Sequence, residues 1–394
     1  MLVQKYKDML GGKSVIRELS EFATARGKEI GYENVFDYSL GNPSVAVPKE
    51  FNDAIIKALQ TMSGQAVHGY SPSLGITSVR EKVAASLEKR FGIPYRAEHI
   101  FMTSAAASAL AHAFRLVTQP GDEILTFAPF FPEYHPYVDL TGATLKVVPP
   151  NFVDFQINFD KTAEMMTEKV MAVMINTPNN PTGVVYSEDT LKKLADLMTE
   201  KSKQYGHPIY LITDEPYREI VFGGKQAPCV SKYYDNTIMC YSFSKSLSVP
   251  GERIGYLAVN PKAEGAEFMV PMCGQISRGI GHNCPSSVIQ LAMAEVLDLT
   301  SDLSVYETNM NLIYNELVDL GIEVVKPDGT FYIFPKAPEA DAKAFSKKAL
   351  AYDLVLVPAD TFGAPGYFRM AYCIDTEKVE RSLPALRKFI KETY

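Results

Sequence analysis

The chain has 394 residues, 46% hydrophobic and 22% charged, with 39 Lys and Arg against 46 Asp and Glu for a formal net charge of −7. That length allows two domains, or one large domain carrying a smaller one, and the acidic balance argues against nucleic acid or an anionic membrane as main partner. No run of about 18 apolar residues offers a membrane span, and five scattered cysteines with no Cys-x-x-Cys pair fit reduced thiols rather than disulfides or a metal site.

The opening Met-Leu-Val-Gln-Lys-Tyr-Lys has no apolar leader, so a cytoplasmic protein is expected. The first thirty residues predict a helix, with Ile16, Leu19, Phe22 and Ala23 on one stripe. Tyr38-Ser39-Leu40 stops at a Gly41-Asn42-Pro43 turn, and residues 48–59 form the next predicted helix. A loop punctuated by Gly and Pro, His68-Gly69-Tyr70-Ser71-Pro72-Ser73-Leu74-Gly75, precedes a helix over 76–90.

From about residue 99, strands alternate with helices, the mark of a largely parallel α/β sheet covered on both faces. A strand over 99–102 leads into Thr103-Ser104-Ala105-Ala106-Ala107-Ser108, which opens a helix; free N–H groups at such a start make a ready anion site. The strand over 123–127 ends in Ala128-Pro129-Phe130-Phe131-Pro132-Glu133-Tyr134. The strand over 170–175 ends in Asn176-Thr177-Pro178-Asn179-Asn180-Pro181-Thr182-Gly183, too particular a run for a generic turn. A covering helix over 187–206 is followed by a strand over 209–212 that delivers Asp214-Glu215-Pro216-Tyr217. A strand over 238–243 then runs toward Lys245 and Arg253, with 255–260 as its hairpin neighbour. After about residue 290 the chain turns helical over 290–299 and 308–320. It then passes through a Lys326-Pro327-Asp328-Gly329-Thr330-Phe331-Tyr332 stretch and a strand over 354–357. An alternating, edge-like strand over 368–372 containing Arg369 comes before the closing helix, which starts at Glu377.

Lys245 stands at the end of a buried strand, a poor place for a purely structural amine. Burial beside other cations lowers a lysine's pKa and frees it to form a Schiff base with a carbonyl. Taken alone, a solvated loop lysine is the ordinary reading. Its company changes that: Ser104, Phe131, Asn180, Asp214 and Lys245 all sit just past the carboxyl end of a predicted strand, the edge where open α/β sheets bind ligands.

Together these stretches resemble the fold-type I aminotransferases of class I/II, which depend on pyridoxal 5′-phosphate (PLP), over nearly the whole chain. The resemblance implies a large PLP-binding domain over 46–290 and a smaller α+β domain built from 1–45 with 291–394. It makes Lys245 the cofactor-binding and proton-transferring amine, Asp214 the partner of the ring nitrogen, and Tyr217 and Asn180 the partners of the phenolic oxygen. Phe131 would stack on the ring, while the amides of Ala106 and Ala107 with Ser242, Ser244 and Arg253 would neutralise the phosphate. Most members carry Gly where this chain has Ala105. Tyr70 would reach the phosphate of the other subunit, implying a homodimer with shared sites. Gly41, Asn180 and Arg369 would receive the substrate, Arg369 by a bidentate pair with its α-carboxylate.

The reaction so implied moves an α-amino group between an L-amino acid and a 2-oxo acid; the Gly41, Tyr70 and 326–334 regions resemble those of general aspartate, alanine or aromatic aminotransferases, with aspartate and 2-oxoglutarate as one such pair. An acidic side chain would need a second cation, for which Arg17 and Arg278 are available. The same residues would serve a PLP-dependent C–S β-lyase. A PLP-binding regulatory module is disfavoured by the lack of a basic helix-turn-helix segment ahead of the domain, and a nicotinamide oxidoreductase by the lack of a G-x-G-x-x-G after a strand.

Overall fold

The computed structural model describes residues 2–11 and 15–394. The expected opening helix is two helices, Gln4–Gly11 and Val15–Ile30, and residues 12–14 of that expectation lie outside the described residues. The strands in chain order are β1 Phe36–Asp37, β2 Ile100–Thr103, β3 Glu123–Phe127, β4 Thr144–Val148, β5 Val170–Asn176 and β6 Tyr210–Asp214. They continue with β7 Thr237–Ser242, β8 Gly255–Val259, β9 Tyr332–Ile333, β10 Leu354–Val355, β11 Val357–Pro358 and β12 Phe368–Ala371.

Seven of them form one sheet in the order β2-β8-β7-β6-β5-β3-β4, parallel except for β8, which runs against both its neighbours. Its strands are apolar on both faces because both faces are covered. Met174, Ile212 and Leu257 pack with the helices Ala105–Val117 and Ala266–Ile280, while Val173, Ile175 and Leu211 pack under the helix Glu188–Tyr205. Ser187 caps that last helix by accepting from the Thr190 amide, and Gly206, at φ 73°, ends it in the left-handed conformation. Met239, Tyr241 and Ala258 pack with residues of the helices Lys49–Thr61, Thr77–Phe91 and Ser287–Met293. The helix expected over 290–299 therefore begins earlier and stops at Met293, its last turns tightened by bonds such as Glu295 N–H to Ala292 carbonyl.

The C-terminal stretch builds a second cluster in which Tyr306, Phe331, Phe345, Phe368 and Phe389 meet Tyr38 from the N-terminal segment. β1 pairs in parallel with β10, so the N-terminal segment is hydrogen-bonded to the C-terminal part. The strand bearing Arg369 is not an edge. β12 is the centre of a three-stranded sheet ordered β11-β12-β9, and all four of its residues are buried. The alternation read in the sequence is present, but both faces are covered: Phe368 and Met370 face the cluster, and the Ala371 amide bonds to the Tyr38 carbonyl. Among the described residues no helix is long and apolar enough to cross a membrane.

Candidate active site

Strand register gathers the site. Asn176, Asp214 and Cys240 stand abreast on β5, β6 and β7, and Ser242, Gly255 and Thr103 stand abreast on β7, β8 and β2. Their side of the sheet opens into a cavity of about 290 Å³ lined by Gly41, Ala106, Ala107, Phe131, Asn180, Asp214, Tyr217, Ser242, Ser244, Lys245, Arg253 and Arg369. Apart from Tyr70 and Ser104, the side chains and backbone groups expected from the sequence to make the site therefore come together in this chain. Tyr70 is 100% exposed and lines a different cleft together with Arg278 and Cys284. Ser104 heads the helix Ala105–Val117 but is not part of the cavity wall.

Lys245 sits on the one-turn helix Phe243–Ser246, whose start is capped by Ser242 Oγ accepting from the Ser244 amide at 3.1 Å. Its Nζ donates to the Gly41 carbonyl at 2.7 Å, and among the described residues no carboxylate pairs with it. Burial pushes the amine down to about 8; Cys373 opposes the fall, and Arg253 and Arg369 add to it. Asp214 is buried at the end of β6. Tyr134 donates to its Oδ2 at 2.7 Å, while Oδ1 has no partner. Burial pushes this carboxyl up to about 7 against the hydrogen bond from Tyr134, and Glu215 adds to the rise. A buried carboxylate oxygen left without a donor is costly unless something with an N–H or O–H occupies the space before it.

Arg369, 2% exposed, donates from Nη1 to Asn180 Oδ1 at 3.0 Å and from Nη2 to the Ser39 carbonyl at 2.7 Å, and its Nε is unpartnered. Its guanidinium lies over the rings of Tyr332 and Phe362, and among the described residues no carboxylate neutralises it. The surface salt bridge that such an arginine usually makes is thus absent; a buried cation of this kind is a receptor for an anion. The Arg369 bond also fixes the amide of Asn180, leaving its Nδ2 hydrogens free to donate elsewhere. Asn176 braces this corner, donating to the Asp214 carbonyl at 2.8 Å and accepting from the Asn180 amide at 2.7 Å.

At the other end of the cavity, the first turn of the helix Ala105–Val117 faces Ser242, Ser244 and Arg253. Ser242 Oγ donates to Ser244 Oγ at 2.7 Å. Arg253 bonds only to the Pro250 carbonyl among the described residues, at 2.9 Å, so an exposed cation, two hydroxyls and free helix amides converge without a negative charge. Ala105 has φ 66°, a conformation that favours glycine, which accounts for the residue type usual in the family at this place. Gly255 lies against it: a Cβ there would run into the Tyr241 carbonyl and lie 3.0 Å from Ala105 Cα.

Three residues went unnoticed in the sequence. Tyr134 follows Phe131 in the same run, yet its bond to Asp214 spans 80 positions. Ile16 reaches the cavity from the helix Val15–Ile30. Tyr332 joins its hydroxyl to that of Tyr217 at 3.1 Å. It also explains Gly41: a Cβ at that glycine would overlap the Tyr332 hydroxyl and lie 2.9 Å from its Cζ.

The family profile described as aminotransferase class I and II matches residues 33–386. Among solved structures, an amino transferase from Eubacterium rectale superposes with a TM-score of 0.96 at 43% identity, covering 100% of this chain and 99% of that one. A probable aspartate/prephenate aminotransferase of Aquifex aeolicus is 29% identical over 391 residues, 94% of this chain and 95% of the relative. Aromatic-amino-acid aminotransferase 2 of Thermococcus litoralis is 30% identical over 396 residues, 96% of each.

Proposed function

Since the chain belongs to the class I and II aminotransferases, PLP-dependent enzymes acting on amino acids and 2-oxo acids, we propose that it transfers the α-amino group of L-aspartate to 2-oxoglutarate at the Lys245 cavity. The observation that carries the assignment of the site is the unpartnered Oδ1 of Asp214 in the same cavity as Lys245. PLP fits what is there. Its protonated ring nitrogen is the N–H donor that Oδ1 lacks, and its phosphate matches the amides of Ala106 and Ala107 with Ser242, Ser244 and Arg253. Its aldehyde matches an amine whose pKa burial has lowered.

PLP supplies, when bound, the electron sink that accepts charge from the substrate's Cα. The protein's residues do the rest. Arg369, steadied by Asn180 and the Ser39 carbonyl, offers its N–H groups to the α-carboxylate and so fixes which face of Cα is presented. Lys245 takes the proton from Cα and returns it one position away, a task suited to an amine held near 8 rather than 10.5. Asp214, oriented by Tyr134, would keep the ring nitrogen protonated. Asn180 Nδ2 and the Tyr217 hydroxyl would serve the phenolic oxygen, and Phe131 would cover the ring.

The aspartate assignment draws on the relatives' names and on Arg17, which lines a cleft adjoining the cavity together with Ile16, Lys28 and Glu133. Two domains, 46–290 and 1–45 with 291–394, are part of the same proposal, supported by the β1–β10 pairing and by Tyr38 packing in the C-terminal cluster. So is a homodimer in which Tyr70 completes the partner's phosphate site, because in one chain that tyrosine touches nothing of its own cavity.

The test is borohydride reduction of the PLP-loaded protein followed by peptide mapping, with a pyridoxyl group expected on Lys245 and no label in Lys245→Ala. Single amino acids are then added in turn, and conversion of the cofactor to its amine form is followed by absorbance. Aspartate is expected to convert it. If aspartate leaves the spectrum unchanged while an apolar or aromatic amino acid converts it, the aspartate assignment is wrong. If ammonia and pyruvate appear without a 2-oxo acid, the lyase reaction is the correct one.

A further inference from the structure

Resting on that reading, we infer that Tyr332 is a positioning residue: its hydroxyl donates to Tyr217 and thereby turns the Tyr217 proton toward the cavity. Tyr332 lies on β9 opposite Ala371 of β12, two residues along from Arg369, and is buried at the cavity wall. Three groups meet it. The Arg369 guanidinium carbon is 4.6 Å from its ring centroid, its Oη is 3.1 Å from Tyr217 Oη, and Gly41, without a side chain, leaves the place its hydroxyl occupies. Through the Gly41 carbonyl the same corner also holds Lys245 Nζ. Cys373 is the remaining titratable neighbour.

Two hydroxyls bonded to each other share one hydrogen between them, so one donates and the other is left with a proton to give elsewhere. The more acidic one donates. The cation lying on the Tyr332 ring face acidifies that phenol, whereas the Tyr217 ring meets Phe331 and Tyr332 edge-on. Burial raises both hydroxyls above the usual tyrosine range, Tyr217 well above it with Asp214 adding to the rise, and Arg369 opposes the rise at both. Tyr332 is therefore the donor, and Tyr217, polarised by accepting, becomes a stronger donor itself. With PLP held by Lys245, a stronger donor at the phenolic oxygen would favour its anionic form, so the chromophore would lose its proton at lower pH.

Tyr332→Phe keeps the ring under Arg369 and removes the hydroxyl, so the fold and the carboxylate pocket stay. The measurement is the pH titration of bound-cofactor absorbance, with steady-state kinetics and thermal unfolding alongside. Loss of one such hydrogen bond is expected to move the titration upward by on the order of half to one pH unit. kcat should fall while KM stays near the parent value, and the upward movement should vanish in a Tyr217→Phe background. An unmoved or downward titration, or the same movement without the Tyr217 hydroxyl, overturns the inference, even if thermal stability falls. Failure of the parent protein to take up PLP at Lys245 would instead overturn the proposed function itself.

Discussion

Two ionisable side chains in the cavity are held away from their ordinary protonation. Asp214, at about 7 instead of 3.8, binds more protons folded than unfolded, so it lowers stability as pH rises from about 4 to 7. Lys245, at about 8 instead of 10.5, binds fewer protons folded than unfolded, so stability rises with pH from about 8 to 10.5. Between these windows the PLP-free protein carries both burdens, and PLP bound as proposed would relieve both. Without cofactor, Asp214→Asn should therefore be more stable than the parent at pH 8 by on the order of 1–2 kcal/mol in urea unfolding, with the difference gone near pH 4. Arg369→Lys loses the planar fork, and KM for the amino acid should rise roughly ten- to a hundredfold with little change in Lys245 trapping. Asp214 and Lys245 were legible in the sequence because they end or closely follow a strand in a particular run of neighbours, and Arg369 because it interrupts an apolar strand. Tyr134 and Tyr332 were not, because their bonds to Asp214 and Tyr217 cross 80 and 115 positions and nothing local marks them.

The phosphate end depends on how the helix Ala105–Val117 begins. Ala105 holds a left-handed conformation there, and its neighbour across β8, Gly255, has no room for a side chain. Ala105→Gly should raise the urea midpoint by the equivalent of about 0.5–1 kcal/mol, the left-handed penalty less the extra freedom of the unfolded glycine. Gly255→Ala presses on backbone at two places, Tyr241 and Ala105, and should destabilise by roughly 3 kcal/mol and weaken PLP binding in parallel. Much of the alternation of strands and helices from residue 99 to 260 was readable from period and turn residues, and strands such as Glu123–Phe127 fall where expected, but β4 and the helices Tyr134–Asp139 and Phe159–Met165 were not read. The C-terminal part was less so. Its strands are two to four residues long, and β12 looked like an edge because its arginine, a residue rarely buried, interrupts the apolar pattern.

The proposed assembly rests on Tyr70, which is fully exposed and does not line its own cavity. The proposed dimer should elute at twice the mass of one chain, and Tyr70→Phe should weaken PLP binding roughly tenfold. Sharing gives a sharper expectation. Mixed dimers of Tyr70→Phe with Lys245→Ala chains place an intact Tyr70 beside an intact Lys245, so PLP affinity at that site should return to the parental value. If mixing restores nothing, each chain completes its own site.

The amine at position 245 waits on a backbone carbonyl rather than a carboxylate. A neutral acceptor exerts little long-range pull, so capturing an aldehyde severs no ion pair. Dissolved salt should slow the docking of the phosphate while leaving the bond-forming step that follows indifferent to ionic strength.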